Sequence, residues 1–370
     1  MDSKNVLGLE EQVSFNLMEL YESYGYKKYK MSKFEEYDLY LENKNFLKSE
    51  NVIAFNDPTG KLMALKPDVT LSIAKNTDEN ECSRKLFYSE HVYRVSGNMH
   101  EFKEIPQIGL EFIGNVDTYS LCEVIMLAKK SLEAISESYV LDISHMGLVI
   151  GLLNETGLPY DVREEISACI GTKNSPEIEK ICTKYGVSTE LCEKLCTLAS
   201  LYGSVEKVLP KAKTLVVNDI TAAAVNELST LCEVLSACGE QDRINIDFSV
   251  VSDMNYYNGI TFRGYIESVP GSILSGGRYD NLLIKMGKNT GAVGFAVYLD
   301  LLSYLDKTGD GFDVDVLLVY DEKTPASAVF SAANELINEG KTVRVSSTDR
   351  INIKYRSRIC IGYVEGRDGK

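Results

Sequence analysis

The sequence predicts an α+β fold: an antiparallel sheet flanked by helices, with a helical insertion and a small, truncated α/β C-terminal unit. Three observations predict it. The stretch 86–114, LFYSEHVYRVSGNMHEFKEIPQIGLEFIG, reads as two strands joined by a polar loop, and the second alternates cleanly. Residues 151–235 are helical in pattern, mixed in charge and without a catalytic signature. The tail from residue 312 runs strand, helix, strand, strand, and is short for an independent domain. These features divide the chain into a core (1–150 and 236–308), an insertion (151–235) and a tail (312–370).

The elements follow in order. Residues 9–25 place Val13, Leu17, Leu20, Tyr21 and Tyr24 at helical spacing, with Gly25 as the stop. An extended segment and a short helix follow. Residues 51–61 alternate into the turn Asp57-Pro58-Thr59-Gly60 and read as a hairpin. Pro67 bars a helix through Lys66, so the next helix starts near Val69 with Asp68 as its N-cap. Asp68 is read either as a cap alone or, with Thr70, as part of a pocket beside the central hairpin. In the second strand of that hairpin, Ile108, Leu110 and Phe112 share one face, and Gln107, Gly109 and Glu111 the other. An amide, a glycine and a carboxylate on one face suit a small pocket; an edge strand with a solvated face shows the same alternation. Residues 117–137 form a helix, and 140–144 a strand leading to His145. After the insertion, 244–248 begins a second sheet section. Tyr256–Tyr257 precede a turn at Asn258-Gly259, a strong hairpin signal, and a strand over 260–266. Gly276-Gly277 is expected to open a turn before a helix, and 290–304 to be small residues followed by an apolar helix.

Composition bounds the function. A 370-residue chain with 44% apolar and 25% charged residues is ordinary for a globular protein. No run of about 18 apolar residues suggests a membrane span, and the N-terminus lacks a signal-peptide core. Nine scattered cysteines and three histidines point to reduced thiols in a cytoplasmic setting and to no metal centre. Cys192 and Cys196 read as packing. The net charge of -15 weighs mildly against nucleic-acid binding.

Several motifs, in order, resemble the catalytic core of histidyl-tRNA synthetase, a class II aminoacyl-tRNA synthetase fold. LKPDVT resembles L-R-P-E-G-T; YRVS with PQIGLEFIG resembles motif 2; MNYYNGITF resembles the histidine-specific L-D-Y-Y-T-G-x-x-F; SGGRYDNLL and GAVGFAVYLDLL resemble the closing glycine segment and motif 3. The resemblance implies a histidine pocket in which Glu111 accepts from the imidazole, with Tyr257 on its other side and Tyr256 beside it. Gln107, Asp68 and Thr70 hold the amino group, and Arg94 faces the carboxylate. Departures from the pattern fall on the ATP side. Ser252 and Leu301 replace arginines, Asn255 an aspartate, Ser96 a glutamate and Ser32 a proline. Losing one preorganised electrostatic donor costs about 2.7–4 kcal/mol of transition-state stabilisation.

A pocket equipped for an amino acid but not for its activation resembles the regulatory subunits of ATP phosphoribosyltransferase, paralogues of the synthetase. That resemblance implies a chain that is not itself an enzyme and needs no cofactor. Its partner is the short-form catalytic subunit, its effector histidine, and its assembly a homodimer core within a hetero-oligomer, without nucleic acid or membrane. The rivals are a divergent but active histidyl-tRNA synthetase and a paralogue serving another partner.

Overall fold

The first helix, α1 (Leu9–Ser23), buries Val13, Leu17 and Tyr21 along one face. Each such burial contributes about 1.5–3 kcal/mol. The chain leaves α1 through Gly25 at φ +81°, a left-handed conformation that suits a residue without Cβ. The structure is a computed structural model and describes residues 7–42, 52–77, 83–95, 101–251, 256–305 and 312–362. Ser96, His100, Ser252 and Asn255 lie outside the described residues.

After β1 (Lys27–Lys28), three short strands form a small antiparallel sheet. They are β2 (Phe34–Glu36), β3 (Ala54–Asn56) and β4 (Leu62–Leu65), in the order β2-β4-β3, with α2 (Tyr37–Glu42) between β2 and β3. The expected hairpin turn is held by Asp57, whose carboxylate accepts from the amides of Thr59 and Lys61 at 2.8 and 2.9 Å. Then come α3 (Thr70–Lys75), β5 (Ser83–Val95) and β6 (Phe102–Gly114). β5 and β6 pair antiparallel along their whole length. α4 (Thr118–Ile135) starts on Asp117, whose side chain caps the Ser120 amide, and β7 (Tyr139–His145) follows.

Between β7 and the rest of the sheet the chain is almost wholly helical: α5 (Met146–Glu155), α6 (Tyr160–Gly171), α7 (Ser175–Tyr185), α8 (Thr189–Ser200), α9 (Val205–Thr214) and α10 (Asp219–Ala237). One short strand, β8 (Tyr202–Ser204), interrupts them. Then come β9 (Ile244–Asp247), β10 (Ile260–Ile266), β11 (Leu274–Arg278), α11 (Asp280–Lys285), β12 (Gly291–Tyr298) and a 3-10 turn, Leu299–Tyr304. The main sheet runs β1-β5-β6-β12-β11-β10-β7-β9-β8, parallel at β1–β5 and β7–β9 and antiparallel elsewhere.

Three local expectations are corrected. Gly276-Gly277 is no turn; both residues lie inside β11, between β10 and β12. They are glycines because a Cβ there would strike Phe262 or Tyr257, not because the backbone needs a positive φ. Asn258-Gly259 joins no hairpin: β10 pairs with β7 and β11, and its partner β7 ends more than a hundred residues upstream. The apolar helix expected within 290–304 is instead strand β12 followed by the 3-10 turn.

The chain packs as two units, one spanning Leu9–Tyr304 and the other formed mainly by the residues from Leu305 on. The second carries β13 (Val314–Tyr320), α12 (Ala326–Asn338), β14 (Val343–Ser346) and β15 (Tyr355–Ile361). Its sheet is parallel, in the order β14-β13-β15. Leu318, Val329 and Ala333 form its small core.

Candidate functional site

β6 is an interior strand, hydrogen-bonded to β5 on one side and β12 on the other, so the solvated-edge alternative falls. From Gln107 on, both of its faces are buried. Gln107 and Glu111 are 5% and 2% exposed, deep for an amide and a carboxylate. Register puts Gly294 beside Glu111, Ala296 beside Gly109 and Tyr298 beside Gln107. The small residues leave a hollow over the sheet. A Cβ at Gly294 would overlap the Glu111 carboxylate, and one at Gly277 would come within 2.6 Å of the Tyr257 ring.

The resulting cavity, of about 80 Å³, brings together all seven sequence-predicted residues: Asp68, Thr70, Arg94, Gln107, Glu111, Tyr256 and Tyr257. Glu111 is its polar centre. The Thr70 hydroxyl donates to Oε1 at 2.7 Å and the Tyr279 hydroxyl to Oε2 at 2.6 Å. Burial raises the Glu111 carboxyl to about 8; the bonds from Tyr279 and Thr70 oppose the rise, and the charge of Asp68 adds to it. Thr70 thus spends its hydroxyl proton on Glu111, while the same oxygen keeps lone pairs that can accept from an amino group. Burial likewise raises the phenols of Tyr88, Tyr256, Tyr257 and Tyr279, which keeps them protonated donors at neutral pH. The Tyr256 and Tyr257 rings meet edge-on at 4.5 Å, and Tyr279 lies 5.8 Å from Tyr256.

Asp68 is not a cap alone. The helix proper begins at Thr70, but the Asp68 carboxylate accepts from the Leu71 amide at 2.8 Å while lining the cavity. Val69 and Leu71 turn into the core, each 1% exposed. Arg94, on β5, donates from Nε to the Pro67 carbonyl at 3.0 Å. This bond fixes the guanidinium against the Pro67–Asp68 segment. One residue earlier, Lys66 is fully buried and ion-paired with Glu90, and its carbonyl accepts from the Tyr93 amide at 2.9 Å.

The other end of α3 is held from far along the chain. Lys288 Nζ donates to the carbonyls of Ala74, Lys75 and Thr77 at 2.6, 2.8 and 2.6 Å, so the last turn's exposed acceptors meet a cation. Behind the pocket, Arg278 bridges Asp280 at 2.8 Å and Glu227 of α10 at 3.1 Å. His145 Nδ1 accepts from the Gly147 amide at 3.0 Å, and Nε2 donates to Glu227 at 2.7 Å. His145 is therefore a structural cap; His91 is exposed.

Sequence reasoning missed Tyr279, Tyr88, Ser275 and Tyr298, all of which line the cavity. Tyr279 had a signal, since it stands in SGGRYD, but the double glycine hid the strand that delivers it. Of the departures on the ATP side, Ser32 and Leu301 are described. Ser32 Oγ accepts from the Phe34 amide at 3.1 Å. Leu301 sits half-buried in the 3-10 turn after Asp300, whose carboxyl is raised by burial. Among the described residues there is no group of ligands that could hold a metal ion, and no helix is long and apolar enough to cross a membrane.

Residues 7–302 match the family model for histidyl-tRNA synthetase. An ATP phosphoribosyltransferase regulatory subunit from Clostridium kluyveri is 30% identical over 91% of this chain and 89% of its own length. The chain belongs to the ATP phosphoribosyltransferase regulatory subunit family. Another member, from Ruminiclostridium cellulolyticum, is 29% identical over 86% of the chain and 78% of its own. The regulatory-subunit fold, shared with histidyl-tRNA synthetase, recurs in a solved Bacillus halodurans protein described as an ATP phosphoribosyltransferase regulatory subunit/histidyl-tRNA synthetase. Its TM-score is 0.79 at 24% identity, over 95% of this chain and 93% of that one. A chain of the ATP phosphoribosyl transferase (HisG:HisZ) complex from Thermotoga maritima matches at TM-score 0.62 and 21% identity, over 77% and 96% of the two chains. The class II synthetase-like architecture, α+β with its large, mainly antiparallel sheet, is thus that of the family.

Proposed function

We propose that this chain is a non-catalytic regulatory subunit that switches on a short-form ATP phosphoribosyltransferase catalytic subunit and lets histidine feed back on the first step of histidine biosynthesis. One observation carries the sensor part of this reading. Glu111 is buried, clamped by Thr70 and Tyr279, and raised to about 8, which matches it to an imidazole that titrates near 6.5. A single proton can then be shared between the two. Asp68, Gln107 and the Thr70 oxygen supply acceptors for the amino group, and Arg94 a cation for the carboxylate. In the 3-10 turn after β12, Leu301 offers no charge to a triphosphate. The assembly that fits is a homodimer core bearing catalytic subunits, in the cytoplasm, with the helices of 151–235 inserted in a core of 1–150 and 236–308 and the tail of 312–370 appended.

The test is to mix the chain with a short-form catalytic subunit and assay phosphoribosyl transfer with and without histidine. Transfer that requires this chain and responds to histidine is the expected outcome; transfer indifferent to the chain defeats the reading. The rival, a divergent active histidyl-tRNA synthetase, is favoured by robust histidine-dependent ATP–pyrophosphate exchange, and the proposal expects none.

A further inference from the structure

A second arginine stands beside the pocket, on the same face of the sheet. Arg263 lies on β10, where register pairs it with Ser275 of β11 on one side and Asp142 of β7 on the other. Ser275 lines the cavity and is itself paired with Ala296, another lining residue. Directly paired residues of antiparallel strands project from the same face of a sheet, so Arg263 shares the face that carries the pocket.

The carboxylate that faces it in register is not its partner. Among the described residues Asp142 forms no ion pair with Arg263; its side chain accepts from Asn245, and the cation that acts on it is Lys173. Arg263 Nη2 donates to the Val251 carbonyl at 2.9 Å, and the charge is felt by two cavity phenols, Tyr257 and Tyr298. After burial, Arg94 is the largest influence on Tyr298, and Arg263 also lowers it. The two guanidiniums thus come from opposite sides, β5 and β10, towards the same tyrosine. Arg94 spends Nε on Pro67 and Arg263 spends Nη2 on Val251; among the described residues no other N–H of either side chain has a partner. A half-buried guanidinium with unspent donors is matched in shape and charge to a planar oxyanion.

We infer that Arg263 is a specificity-determining residue which, with Arg94, clamps the carboxylate of the bound amino acid, so that the pocket accepts free amino acids and rejects the corresponding amines. The inference deepens the proposed histidine-binding function and rests on it. It divides the pocket into two ends. Glu111, Thr70 and Tyr279 read the side chain; Arg94 and Arg263 read the carboxylate.

The experiment titrates the full chain calorimetrically with histidine and with histamine, which keeps the imidazole and the amine but lacks the carboxylate. The wild-type chain should prefer histidine by about a hundredfold, two charge-assisted contacts at about tenfold or more each. Arg263→Gln should lose at least tenfold of that preference while its histamine affinity stays within about twofold, and Arg263→Lys should recover part of the loss. An undiminished preference in Arg263→Gln, or an equal weakening of both ligands, overturns the clamp and leaves the histidine reading standing. If the wild-type chain binds neither ligand, it is the histidine reading that fails. The clamp is then judged by thermal stabilisation with the other amino acids: a shift that Arg263→Gln abolishes supports it, and none, or one the variant retains, overturns it.

Discussion

Replacing Glu111 by glutamine tests the centre of the pocket without any ligand. The carboxyl ordinarily titrates near 4.5 and is raised to about 8 in the fold, chiefly by burial. An acid that holds its proton more tightly when folded makes the native state bind more protons than the unfolded chain between those two values. Stability therefore falls as pH rises through that window. A shift from 4.5 to about 8 corresponds to roughly 5 kcal/mol lost between pH 4.5 and 8, an upper bound. Glutamine has nearly the same shape, keeps a carbonyl for Thr70 or Tyr279, and cannot ionise. The assay is denaturant unfolding of both proteins at pH 5, 7 and 9, compared as the difference at each pH, since other groups titrate in both. The variant should be close to wild type at pH 5 and more stable than it by several kcal/mol at pH 9. A difference that does not change with pH would refute the argument that Glu111 is held protonated by its surroundings.

Further outcomes follow from the same geometry. If Glu111 and imidazole share one proton, histidine affinity should be level between about pH 6.5 and 8 and fall about tenfold per pH unit outside that range, and the alkaline limb should vanish in Glu111→Gln; calorimetry across pH 5.5–9 reads this directly. Tyr279→Phe removes one donor to Glu111 and should weaken histidine binding by about 0.5–1.5 kcal/mol, while moving the Glu111 titration upward. Gly294→Ala places a methyl group on the Glu111 carboxylate and should cost about 1–3 kcal/mol of stability along with histidine binding, seen by thermal unfolding and titration. Glu90→Gln leaves the fully buried Lys66 ammonium without its partner and should destabilise the fold by about 3–5 kcal/mol, whereas a neutral result would mean that water reaches Lys66.

The periodic elements were legible in the sequence because their cause is local. The alternation from Gln107 to Phe112 and the stripe of Val13, Leu17 and Tyr21 each need only a few neighbouring residues to declare themselves. The pocket's own residues on β6 were legible for the same reason, since Gln107, Gly109 and Glu111 make an unusual polar face. What stayed hidden depends on which strand lies beside which. Glycine at 276 and 277 reads as a turn when φ freedom is the only use considered, yet here it clears room beneath Tyr257 and Phe262. The Asn258-Gly259 signal implied a neighbouring strand, but β10 is closed by a strand from before the helical region. Tyr279 and Arg263 were invisible as site residues because their relation to Glu111 and Arg94 exists only in the register of five strands.

The three carbonyls that converge on Lys288 set a schedule for the growing chain. α3 is six residues long, too short to persist in water by itself, and its anchoring lysine is made more than two hundred residues later. The wall that carries Thr70 must therefore wait, loosely formed, while the sheet's first strands are already available. Truncated chains that stop before residue 288 are expected to expose that segment to protease, and a ligand-binding hollow should appear only once Lys288 has been made.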